Sequence, residues 1–213
     1  MFSAEASRHL REVAVADNGS TTAPALLLLC GQLCFLVMMM CCLAIEPSAL
    51  ALKRGLSYCG THVGTVVPYS LGFALCVSLT AAAVARIRGG SKSLRRLRVA
   101  LGAIAALLAA IPLTPYSLDL VFDWLHIGLT TALFALALVV GWWVAVRLRA
   151  DPAVRGLVAA ETAGGVLVLV AQVGLLDFMI PVEVCFQIAF ALLVVRALPL
   201  LQRRRDAPEQ TAC

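Results

Sequence analysis

The chain has 213 residues, 62% of them hydrophobic and 14% charged, with a net charge of +5 and a mean hydropathy of +0.95. A soluble domain of this length cannot hide so much apolar surface, and the apolar residues lie in long runs separated by short polar connections, the pattern of a polytopic helical membrane protein. The positive balance does not point to nucleic acid, because the basic residues sit between apolar runs and no basic patch is interleaved with aromatics.

Residues 1–22 carry mixed charge (Glu5, Arg8, Arg11, Glu12, Asp17) and end in Asn18-Gly-Ser-Thr-Thr, so a flexible cytoplasmic tail is expected there. The membrane domain is expected over 23–201, with spans near 25–45, 63–85, 99–113, 122–146, 157–176 and 184–201, and a basic, polar cytoplasmic tail over 202–213. The first run is too long for a signal-peptide core and lacks a small-residue cleavage site. Pro68 falls near the start of the second span, where its missing N–H is tolerated.

Orientation follows from charge. Arg86, Arg88, Lys92, Arg95, Arg96 and Arg98 crowd the second connection, Arg147, Arg149 and Arg155 the fourth, and Arg203-Arg-Arg205 the C-terminal tail. Positive residues favour the cytoplasmic side, which places both termini inside. The fold expected is therefore an all-α integral membrane protein, a six-transmembrane-helix bundle with cytoplasmic ends. The alanine- and arginine-rich composition suits a bacterial inner membrane as its multi-pass location. The bilayer itself is the expected partner, with anionic headgroups gathered at the basic loop 86–98, and either a membrane-protein partner or a second copy beside it.

The acids lean the other way. Glu46, Asp119, Asp123, Asp177 and Glu183 fall at the outer ends of spans, together with His62 and His126. Asp119, Asp123, His126 and Thr130 share one helical stripe at the entry to the fourth span. Carboxylates and imidazoles are the ligand types of divalent metals and the groups of acid–base chemistry, which makes these seven residues the outer site candidate. His62, Asp123 and His126 are the metal candidates within it, although zinc-type spacing is lacking; no metal and no cofactor is expected. The competing reading is a set of solvated helix ends, with His126 held by Asp123.

Within the spans, Glu161 and Gln172 are the polar candidates, with Glu161 expected about one turn into the fifth span and paired to Arg155 or Arg147. Gln32 and Gln187 read as interhelical hydrogen-bonding residues. The eight cysteines include six in or beside apolar runs, so they read as small packing residues rather than a disulfide framework. P-loop, GxSxG, kinase and dinucleotide signatures are absent.

Ser57-Tyr58-Cys59-Gly60, followed by Pro68-Tyr69-Ser-Leu-Gly-Phe73 opening the second span, resembles the loop-to-span pattern of the damage-regulated autophagy modulator (DRAM) family. His126 and the small residues leading to Phe134 are similar to that family's His-containing fourth span, and Glu161 matches loosely. Tyr58 and Tyr69 stand where the family has acidic residues. The resemblance implies a six-helix membrane protein concerned with lipid organisation or membrane stress, without a known reaction. The expected function is therefore non-enzymatic modulation of membrane lipids or partner proteins, the alternatives being a small solute or proton-linked transporter and a membrane hydrolase or transferase with an outer His/Asp site.

Overall fold

The computed structural model describes residues 3–51, 55–87, 91–115, 119–172 and 179–206. These residues form six α-helices: α1 (Ser3–Ile45), α2 (Val66–Arg86), α3 (Lys92–Ala110), α4 (Leu120–Arg147), α5 (Pro152–Gln172) and α6 (Met179–Asp206). No strand occurs among the described residues. All six helices contain a stretch long and apolar enough to cross a membrane: Thr22–Ile45, Val66–Arg86, Lys92–Leu113, Leu120–Arg147, Pro152–Ala171 and Met179–Gln202. A helix is the form such runs must take where no water can satisfy the backbone, since each N–H and C=O then finds its partner within the segment.

Three boundaries differ from the sequence expectation, and two of them have a local cause in a side-chain cap. α1 is already helical at Ser3 and carries Pro24 in its interior. α3 starts at Lys92 rather than near residue 99, because Ser91 caps it by accepting a hydrogen bond from the Leu94 N–H (3.2 Å). Arg95, Arg96 and Arg98 therefore belong to the first turns of a helix, not to a loop. α5 starts at Pro152 rather than near 157: Asp151 accepts from the Ala153 and Val154 N–H groups, and proline suits the first helical position. The end of the fifth span expected near 176 lies outside the described residues, as does Asp177.

Each helix packs on its neighbours in sequence and α6 returns to α1, so the six close into a ring. The α1–α2 seam is the tightest. Phe35 meets Phe73 edge-on with centroids 5.1 Å apart, and Gly72 lets the helices approach until a Cβ built on it would lie 2.8 Å from Met38 Cβ. Small residues at such crossings are how helices associate in lipid. Opposite this seam, Leu26, Leu33, Val37 and Met40 point outward from α1 and stay exposed, as a lipid-facing stripe does.

The ring encloses a cavity of about 70 Å³. Its walls are apolar side chains of α1, α2, α3, α4 and α6, with Gln32 and Gln187 bonded to each other across it (3.2 Å). One end of the bundle carries the basic connections, and the other carries the loop 46–65.

Candidate functional site

The described parts of the loop, 46–51 and 55–65, are held by specific contacts. They contain 3₁₀ turns at Pro47–Ala51 and Leu56–Gly60 and are pinned from within by Thr65, whose hydroxyl donates to the Cys59 carbonyl (2.7 Å) and whose own carbonyl accepts from Cys42 Sγ (3.6 Å). Gly55 enters the second turn with φ 64°, a conformation that glycine adopts without penalty. That geometry aims the Leu56 N–H at the buried Glu183 carboxylate of α6 (2.9 Å). Gly60 lies flat on Tyr69 of α2, where a Cβ would sit 2.6 Å from the ring. Burial pushes the Cys59 thiol up from its ordinary value, which disfavours the thiolate form.

Held in this way, Ser57 faces His126. Its Oγ lies 2.6 Å from His126 Nε2, and His126 Nδ1 lies 2.7 Å from the Thr114 carbonyl oxygen. A carbonyl only accepts, so Nδ1 carries the hydrogen, and in the neutral ring Nε2 is then the acceptor for the Ser57 O–H. The Tyr69 hydroxyl lies beside Ser57 as well. Serine, imidazole and orienting carbonyl thus come from three separate segments: the loop, α4, and the turn after α3. His126 is 5% exposed and Ser57 half-buried.

The six outer candidates among the described residues do not converge on one point. Glu46 pairs with His62 (3.6 Å) and accepts from the Ser48 hydroxyl, while the His62 ring stacks near Tyr58. Asp119 is the N-cap of α4, accepting from the Val121 and Phe122 N–H groups (2.8 and 3.0 Å). Asp123 lies in the first turn of α4, where a carboxylate complements the helix dipole. Thr130 turns its hydroxyl back to the carbonyls of His126 and Ile127. His126 and Glu183 meet the same turn, His126 at Ser57 and Glu183 at the Leu56 N–H. His62, Asp123 and His126 form no common metal site, and no group of metal-ligating side chains occurs among the described residues.

Glu161 differs from expectation in depth and in partner. It is ten residues into the Pro152–Ala171 stretch, fully buried against Gly141 of α4. Neither carboxyl oxygen has a hydrogen-bond partner among the described residues, and Arg155 faces a lateral groove instead. Glu161 is not among the residues lining the central cavity. The side chain of Gln172 lies outside the described residues.

Ser57 and Thr114 escaped the reading of side-chain types. Thr114 contributes a main-chain oxygen, which no residue type announces, and Ser57 stood out only within Ser57-Tyr58-Cys59-Gly60. Comparison with protein-family models, curated proteins and solved structures found no match to the chain.

Proposed function

We propose that the protein is a multi-pass membrane protein that binds anionic phospholipid in the leaflet at its basic end and so modulates the lipids around it. The observation that carries this reading is a pair of grooves flanking α4. Between α3 and α4, a groove of about 610 Å³ has Arg95 and Arg96 at its mouth and Val99, Ala103 and Leu136 along its walls. Between α4 and α5, a groove of about 750 Å³ has Arg155 at its mouth and Trp142, Ala145 and Val166 along its walls. Leu136 and Ala145 are nine residues apart and so lie on opposite sides of α4.

Each groove offers an acyl chain an apolar wall and a phosphate a guanidinium at the level where the helix leaves the hydrocarbon. The positive-inside rule makes this leaflet the cytoplasmic one, of a plasma or bacterial inner membrane. The likeness of the Ser57–Gly60 and Pro68–Phe73 stretches to the DRAM pattern supports the same direction, lipid organisation. Purified protein in nanodiscs of mixed phosphatidylcholine and phosphatidylglycerol tests it by native mass spectrometry. Retained phosphatidylglycerol is expected in excess over its share, and lost in Arg95→Ala/Arg96→Ala/Arg155→Ala. Equal retention of the two lipids by the unaltered protein would sink the reading.

A further inference from the structure

We propose that Ser57 is a nucleophile, His126 its general base, and the acyl ester of a membrane lipid the substrate class. This goes beyond lipid binding at the basic end: it concerns the opposite end of the bundle, and departs from the non-enzymatic expectation.

Three observations carry it. The first is the 2.6 Å approach of Ser57 Oγ to His126 Nε2, which is the reach a base needs to take the hydroxyl proton. The second is the 2.7 Å bond from His126 Nδ1–H to the Thr114 carbonyl. It fixes the tautomer in which Nε2 accepts from the Ser57 hydroxyl, and it orients the ring as the third member of a catalytic triad does. The third is the Tyr69 side chain, which hydrogen-bonds Ser57 and so helps to fix the serine against His126. Glu183 acts as a positioning residue, because it holds the Leu56 N–H and with it the turn bearing Ser57.

Depth selects the substrate. α4 has 28 residues, about 42 Å at 1.5 Å per residue, against a hydrocarbon core of about 30 Å. Centred on the bilayer, the helix extends about 6 Å beyond the core at each end. His126 is six residues in from Leu120, about 9 Å, which sets its ring close to the boundary of hydrocarbon and headgroup. That is the level of the ester carbonyls of a glycerolipid.

The step balances without a cofactor. Ser57 Oγ forms a bond to the ester carbonyl carbon while its proton passes to His126 Nε2. The bond from that carbon to the lipid alcohol oxygen then breaks, and the alcohol leaves with the proton from Nε2. Water attacks the acyl-Ser57 ester, giving its proton to Nε2, and the carboxylic acid departs as Ser57 Oγ takes that proton back.

The test is labelling of the full chain in detergent with a fluorophosphonate, a probe that bonds to activated serines, followed by peptide mass spectrometry. The expected adduct is on Ser57, and His126→Gln is expected to slow its formation about 100-fold or more. Ser57→Ala removes it. The unaltered protein alone suffices to decide against the proposal: no adduct, or an adduct only on another residue, overturns it whatever the variants do. With His126→Gln shown to be folded by its thermal midpoint, an unchanged labelling rate at Ser57 overturns it too, since a merely structural hydrogen bond would leave reactivity indifferent to the base.

Discussion

Glu161 of α5 packs its carboxyl onto Gly141 of α4, so closely that a Cβ built on Gly141 would fall 2.8 Å from Glu161 Cδ. The glycine is therefore the notch that admits the acid between the two helices. Gly141→Ala is expected to destabilise the bundle by about 1–3 kcal/mol, the usual range for overpacking a filled site. Glu161→Ala in the same chain removes the group that the new methyl meets, so the double variant is expected to recover most of that loss. Unfolding midpoints of the two single variants and the double variant measure it; strictly additive effects would show that the two residues do not meet.

A second expectation concerns Asp151, which caps α5 and also accepts from Arg196 Nη2 of α6 (2.9 Å). The Val154 N–H chiefly, and then the Arg196 guanidinium and the Ala153 N–H, hold its carboxyl below the ordinary value of 3.8, outweighing the desolvation that opposes them. A depressed carboxyl contributes stability above its unfolded-state value and loses it as pH falls through the folded one. Asp151→Asn keeps a capping side chain and removes the charge. The variant is expected to melt below the unaltered protein at neutral pH, with the gap closing as pH falls below about 4. A gap independent of pH would assign the effect to the cap alone.

The architecture was legible because apolar run length and charge placement act locally: six runs, six helices. Gln32 and Gln187 were legible for a related reason, since an amide within a lipid-spanning run must find a polar partner, and these two found each other. Helix starts were less visible because Ser91 and Asp151 fix them through side-chain caps that outrank hydropathy. The Ser57–His126 pair was hidden for another reason. It spans 69 positions of sequence, and its existence depends on Gly55 and Gly60 seating a loop whose register no periodicity encodes. Asp119 and Asp123 were the more conspicuous residues on the page, and Asp119 turned out to serve its own helix.

The Gln32–Gln187 bond joins α1 to α6 and so helps to close the ring. Interhelical side-chain bonds in membrane bundles average about 0.6 kcal/mol and reach about 1.7. Gln32→Ala and Gln187→Ala are each expected to lower stability within that range. The double variant should cost less than their sum, because the second change removes an amide already deprived of its partner. Thermal unfolding in a mild detergent reads the coupling, and a sum equal to the double variant would mean that the two amides act separately.

The last expectation ties the loop to the dyad. Gly60 presses on the Tyr69 ring and Gly55 holds φ 64° beside the Glu183 carboxylate, so a side chain at the first crowds the ring and one at the second strains the backbone of the turn that carries Ser57. Gly60→Ala and Gly55→Ala are expected to cost about 1–3 kcal/mol each, by overpacking at the first and by backbone strain with crowding at the second. Glu183→Gln retains the shape of the acceptor, so it is expected to cost less than Glu183→Ala, which leaves the buried Leu56 N–H without a partner. Because His126 is anchored to Thr114 on a separate segment, the turn moves relative to a stationary base. All three disruptive variants should therefore slow fluorophosphonate labelling of Ser57 by more than their loss of folded fraction explains. Labelling that merely tracks the folded fraction would show that the register of this loop does not set the distance between Ser57 and His126.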